Sequence, residues 1–299
     1  MAIGRAYQAY KTYGTYGTYG LRSWKRVDIF HQAVGCTIFL SPYALGMLSL
    51  LQVLAQYPYP THSTGYMGIS PMYWVMIGVS MLASLLVSGM LKRRFNQYSQ
   101  EPMPVTGAQV AEMMLRQNGI NDVRVVSVPG HLTDHYDPTS KTVNLSEPVY
   151  HQASVAAAAV AAHECGHAVQ HQQAYAWLTL RSKLVPVVNF SSQLMGIVLS
   201  IGMVLAVMSR GHNTGVLWAG VVLFSITTLF AFITLPVEFD ASRRALAWID
   251  RSGLAATMQH RKAQNALFWA AMTYVVAALG SLAQLLYYLS LLLGSQRRD

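Results

Sequence analysis

His163, Glu164 and His167 stand in the order H-E-x-x-H, the spacing with which a helix can hold a divalent metal ion and keep a base beside it. Imidazoles four residues apart project from one helix face about 6 Å apart along the axis, so both reach a single ion. Glu164 lies one residue round from His163, beside the metal and not on it. A carboxylate there can take a proton from a water that the ion has made acidic. The chemistry encoded is hydrolysis. Random ordering of ten His and five Glu would produce the motif in roughly 0.5 % of such chains, so the surrounding sequence has to carry the rest. Cys165, inside the motif, reads as a small packing residue.

A catalytic zinc takes three protein ligands and leaves one position open. His171 continues the spacing of His163 and His167, but on one straight helix it lies about 12 Å from His163, too far for a shared ion. Downstream of Glu164 the carboxylates are Glu238, Asp240, Asp250 and Asp299. Glu238 and Asp240 follow an apolar run through Leu235 and Pro236, where an unpaired carboxylate is costly and a nearby cation resolves the cost. Glu238 is the preferred third ligand and Asp240 the alternative. A plain ion pair with Arg243 or Arg244 is the reading without metal.

These residues must be positioned by a membrane protein. The chain is 53 % hydrophobic and only 11 % charged, with a mean hydropathy of +0.30. No Asp, Glu, Lys or Arg falls in residues 29–91, 184–209, 211–237 or 263–296, and each run can cross about 30 Å of hydrocarbon. Spans are expected at 34–56, 73–91, 184–208, 215–235 and 267–293, with a loop at 57–71. If cationic segments stay cytoplasmic, 18 of the 21 Lys and Arg residues fall on one side. That side holds the N-terminus and the H-E-x-x-H segment, and the C-terminus lies outside. The expected location is therefore the plasma (inner) membrane, multi-pass, with the active site facing the cytoplasm. The net charge of +9 suits this topology and anionic membrane lipid, and no nucleic-acid module is present to claim it. Two cysteines, Cys36 and Cys165, make no disulfide framework and fit a reducing compartment.

The resulting division has six parts. Residues 1–33 form a flexible, basic arm with a Thr-Tyr-Gly repeat, and 34–91 two transmembrane helices with a short outer loop. Residues 92–183 form the cytoplasmic core, 184–236 two further spans, 237–262 a cytoplasmic helix with the third ligand, and 263–299 the last span and tail. In the core, Thr106 caps a helix ending at Gly119. Residues 123–128 alternate like a strand, and 131–136 with 142–145 suggest a hairpin around Asp137-Pro138-Thr139-Ser140. The motif helix is expected over about 154–175. An exposed strand edge beside such a helix can bind an extended polypeptide substrate, and Thr142, Val143, Asn144 and Leu145 are the candidate edge.

Four motifs carry a family resemblance: the run from Gly130 to Pro138, then Leu145-Ser146-Glu147, then His163 to Gln170, then Leu235 to Ser242. In that order they resemble the bacterial YugP-like membrane zinc metallopeptidases, and more distantly the HtpX-like and CAAX prenyl proteases. The resemblance implies one zinc per chain on His163, His167 and Glu238, Glu164 as catalytic acid and base, and a membrane-anchored peptidase. The distant relatives carry E-x-x-x-D as their second motif. Here position i+4 from Glu238 is Ser242, and the nearby acid is Asp240 at i+2, so Asp240 and Ser242 are both candidates to orient the histidines.

The expected fold is a mainly α integral membrane protein of about five transmembrane helices, with a small α+β, gluzincin-like cytoplasmic domain carrying the motif helix. The expected function is zinc-dependent endopeptidase action on membrane or membrane-proximal proteins. His131, His135, Tyr136 and Arg243 are candidate donors to the transition state, while Asp134 and Asp137 suit turn caps. Two alternatives are an intramembrane site-2-type protease with the motif inside a span, and a non-catalytic zinc-binding scaffold. A homo-oligomer or a second membrane protein is left open as partner.

Overall fold

The computed structural model describes residues 71–209, 212–254 and 257–296; the N-terminal arm and the expected span at 34–56 lie outside the described residues. The order is α1 (Pro71–Tyr98), α2 (Gly107–Gln117), β1 (Arg124–Val128), β2 (His135–Asp137), β3 (Thr142–Ser146), α3 (Glu147–His151), α4 (Val155–Gln172), α5 (Ala176–Met208), α6 (Gly215–Ser252) and α7 (Thr257–Gln296). Four stretches, Tyr73–Tyr98, Ala176–Ala206, Gly215–Ser252 and Gln259–Leu293, are long and apolar enough to cross a bilayer. The helices α1, α5, α6 and α7 that carry them contain the expected spans at 73–91, 184–208, 215–235 and 267–293. Each helix outruns its apolar run. The 38 residues of α6 measure about 57 Å against about 30 Å of hydrocarbon, because leaving lipid relaxes the demand for apolar side chains and leaves the helical hydrogen bonds intact. The small domain is built on these overruns.

The long helices keep one antiparallel register. A Cβ at Gly202 of α5 would lie 2.6 Å from the Leu217 backbone, and one at Gly220 of α6 2.7 Å from the Leu199 side chain; two glycines thus let α5 and α6 approach closely. Farther round, the rings of Phe224 and Tyr288 tie α6 to α7 at 6.1 Å, and those of Tyr73 and Tyr287 tie α1 to α7 at 4.5 Å. At the other end of α1, Tyr98 donates to Asn265 at 3.1 Å and Lys262 pairs with Glu101 at 2.7 Å.

Within the small domain the sheet order is β1-β3-β2, with β1 parallel and β2 antiparallel to β3. This corrects the edge-strand expectation: Thr142, Val143, Asn144 and Leu145 form the central strand, with a neighbour on either side. Val143 and Leu145 are wholly buried, and that burial belongs to the middle of a sheet, which a hairpin reading alone does not show. Pairing of the first hairpin arm starts only at His135, because Gly130 (φ 111°) and Leu132 (φ 58°) take left-handed conformations that no strand accommodates. The turn itself forms as read, with Asp137 Oδ1 accepting from the Thr139 N–H at 2.8 Å.

The motif helix α4 runs through the middle of this domain. Thr106 caps α2 with a reciprocal box to Gln109, and Ser154 Oγ caps α4 on the Ala157 N–H. Ala156, Ala157, Ala158, Ala159, Ala161 and Ala162 are all buried, in one core with Val110 and Met114 of α2, Trp248 of α6 and Ala263 of α7. The apolarity of this stretch therefore serves packing inside protein. At 18 residues, α4 is not among the four membrane-length helices.

Replacing Gly202 by Ala should destabilise the protein by about 1–3 kcal/mol through overpacking against the Leu217 backbone. Gly78→Ala, at a position with no atom near the added Cβ, should leave the unfolding temperature in detergent unchanged or raised.

Candidate metal centre

The site forms where α4 crosses α6. Gly166 makes the crossing possible, since a Cβ there would sit 2.6 Å from the Ala241 carbonyl oxygen, so only glycine lets the two backbones touch. That contact brings Glu238, one turn before Ala241 on α6, over the two histidines of α4. The donor atoms of His163, His167 and Glu238 lie within 4.8 Å of one another. Glu238 Oε2 stands 3.3 Å from His163 Nε2 and 3.7 Å from His167 Nε2. Tetrahedral zinc with bonds of about 2.0–2.1 Å spaces its ligands about 3.3 Å apart, so the spacing fits the ion.

Hydrogen bonding behind the cluster makes the same point. His167 Nδ1 lies 3.0 Å from Gln170 Oε1, whose amide is oriented by two donations from Nε2, to Val237 O at 2.9 Å and Asp240 Oδ2 at 2.8 Å. An amide oxygen only accepts, so Nδ1 carries the proton. In neutral His167, Nε2 then presents a lone pair toward the buried carboxylate. Lone pairs converging on one point need a cation between them. On the other imidazole, His163 Nδ1 meets Ser242 Oγ at 3.1 Å. Ser242, the residue at the i+4 position, thus backs one histidine, and Asp240 backs the other through Gln170. Asp240 is itself engaged by Gln170, Arg243 and Arg244 and lies outside the donor cluster.

Glu164 is 3 % exposed. The Tyr136 backbone amide of β2 faces its carboxyl group, while Oε2 is buried with no hydrogen-bond partner among the described residues. A buried carboxyl oxygen left unmatched is rare and calls for a ligand, and here it lies beside the donor cluster. Burial pushes Glu164 up to about 8, over the opposing pull of His163. Asp134, also buried, accepts from the Ser146 N–H at 2.8 Å and from Ser146 Oγ at 3.0 Å. It ties the entry of β2 to the end of β3 and does not cap the turn.

Three of the four expected donors have partners of their own. His135 Nδ1 meets Thr133 O at 2.8 Å, the Tyr136 hydroxyl meets His171 Nδ1 at 2.9 Å, and Arg243 is an exposed partner of Asp240. His171 lies outside the cluster, as the helix geometry requires. Arg181 of α5 reaches the site instead, donating to Glu238 Oε1 at 3.3 Å, together with Tyr274 of α7, whose hydroxyl bonds the same carboxylate. Sequence reasoning missed Gln170, Arg181 and Tyr274. Only Gln170 left a signal, a polar residue three positions past His167 on the ligand face.

Gly166→Ala should force α6 away and weaken zinc binding, and Gln170→Leu should do so by about 10- to 100-fold, measured by competition with a chromophoric chelator. In metal-stripped protein the raised Glu164 value adds stability that is full below the ordinary value of 4.5 and is lost as pH rises through about 8. Thermal stability of that form should fall across this window, and Glu164→Gln should flatten the slope.

Comparison with known proteins agrees with the geometry. The profile of the family described as "Putative neutral zinc metallopeptidase" matches residues 73–293. The Bacillus subtilis (strain 168) protein described as "Putative membrane protease YugP" is 42 % identical over 222 residues, covering 74 % of this chain and 94 % of that protein. No solved structure matches. With its family profile spanning all four membrane-length helices and the site between them, the chain belongs to the neutral zinc metallopeptidase family.

Proposed function

We propose that this protein is a membrane-anchored zinc endopeptidase of the gluzincin type, holding one zinc per chain on His163, His167 and Glu238 at the cytoplasmic face and cutting membrane or membrane-proximal polypeptides. The observation that carries the reading is the unpartnered Glu164 Oε2 beside a three-donor cluster. Bound zinc would supply the Lewis acid that polarises a peptide carbonyl and acidifies water. Glu164 is the group that moves the proton. Its Oε2 accepts one from the attacking water and returns it to the leaving amine, while the Tyr136 amide fixes the other carboxyl oxygen. A raised proton affinity suits both halves of this exchange. Gln170 and Ser242 hold the imidazoles so that Nε2 faces the ion. Arg181 donates to Oε1 of Glu238, so Oε2 is the oxygen that would hold the ion.

The cytoplasmic placement is supported by the distribution of Lys and Arg. A non-catalytic zinc scaffold accounts for the three donors but gives no use to a buried carboxyl oxygen without a partner. An intramembrane protease would need the motif on a membrane-length helix, and α4 is packed inside the small domain.

Glu164→Gln should keep about one zinc per chain while lowering hydrolysis of an unfolded test protein by about 10⁴-fold or more. Glu238→Ala should lose zinc. Cleavage by the Glu164→Gln protein at the wild-type rate would refute the assignment.

A further inference from the structure

The shared register of the long helices sets the depth of the site. Arg181 of α5, Glu238 of α6 and Tyr274 of α7 meet one another. They continue the pairing in which Gly202 faces Leu217 and Phe224 faces Tyr288. On α5 the charge-free run starts at Leu184, and on α6 it ends at Val237, so the hydrocarbon boundary on these two helices falls at the level of the donors. Helix α1 gives a second gauge. Tyr73 faces Tyr287 and Ser80 faces Gly280, which sets Leu86 opposite Tyr274. The Lys92-Arg93-Arg94 cluster begins about 9 Å farther along α1. The metal centre therefore lies where the apolar runs of α5 and α6 end and about 9 Å short of the first belt of cations on α1, and the headgroup layer is about 5–8 Å deep on each side of a bilayer.

Side chains around the donors suit that depth. Trp177 and Leu180 of α5, Phe239 of α6 and Phe268 of α7 are all exposed, within about two turns of the donor level on their helices. Aromatic residues in that position mark a membrane interface. A soluble face beside a metal centre would not spend four large apolar groups on water.

Resting on the peptidase reading above, we infer that the metal centre sits within the headgroup layer and that the substrate is the juxtamembrane segment of another membrane protein, cut within about five residues of its hydrophobic stretch. An extended segment advances about 3.3–3.6 Å per residue, so only the first few residues past the hydrocarbon pass this depth while their span stays in the bilayer. A soluble chain would have to enter the headgroups first.

Two measurements decide it, both on the full chain with zinc in vesicles of phosphatidylethanolamine and phosphatidylglycerol. In the first, one unstructured cleavable sequence is offered in three forms: directly after a hydrophobic span, about 20 residues (roughly 25 Å of flexible chain) beyond the same span, and with no span. The adjacent form should be cut faster than the soluble one by on the order of 10²-fold, an effective-concentration gain, and faster than the spaced one, with the cuts mapping next to the hydrophobic end. Equal rates for the adjacent and spaced forms overturn the inference and leave the peptidase reading standing. Cleavage of none of the three overturns both. The second measurement is independent of turnover. The Trp177 signal, taken as the difference between wild type and Trp177→Phe, should be quenched by lipids brominated near the headgroup end of the acyl chain and shielded from aqueous iodide. Quenching by iodide alone overturns the assigned depth.

Discussion

Everything functional in this chain depends on the contact between Gly166 and the backbone of Ala241. The H-E-x-x-H helix supplies two donors and a buried carboxyl group, but two imidazoles alone make a weak and open-ended site. The third donor comes from a membrane-length helix, 71 residues downstream of His167. At the crossing the helices must approach until a carboxylate with a reach of about three bonds can meet Nε2 of both histidines. A Cβ at position 166 would close that gap, and the alanines of α4 keep the remaining neighbours equally near.

This crossing couples the candidate metal site to the bundle of membrane-length helices. Glu238 is 2 % exposed, and its carboxylate is surrounded by Arg181 from α5 and two histidines from α4. Removing a charge from water costs several kcal/mol unless partners surround it. The carboxylate is therefore settled only when α4, α5 and α6 are all in place, and Tyr274 adds α7. The soluble-looking segment and the spans are in this sense one unit. That also explains why helices of 33 to 40 residues run past the apolar limit: their overruns are walls of the site.

The sequence is transparent where one residue type does one job. Ligands on a helix have to be spaced by four, so His163 and His167 are visible at once, and Glu238 follows because acids at the end of an apolar run are few. Charge-free runs longer than a bilayer give four of the described helices directly. The sheet is harder, since strand order is a tertiary property. β1 and β3 pair in parallel across an intervening β2, and a chain read in order suggests the hairpin and hides the parallel neighbour. Harder still are Arg181 and Tyr274. Arg181 reads as a topology-setting cation and Tyr274 as one tyrosine among 17; only the register of the long helices brings them to the carboxylate.

At the fourth residue after Glu238 the chain carries Ser242 and no acid. A carboxylate at position 242 would hold a histidine strongly but would add a further negative charge to a buried cluster already containing Glu164 and Glu238. Serine orients His163 without adding charge. The acid appears instead at Asp240, buried beside Gln170, where Arg243 and Arg244 neutralise it. Its influence then reaches His167 through the neutral amide of Gln170. The two imidazoles are therefore held unequally, His167 by a charge-backed network and His163 by a lone hydroxyl. His167 is the more firmly aimed of the pair, and His163, which adjoins Glu164 and is the less buried, keeps more freedom to adjust.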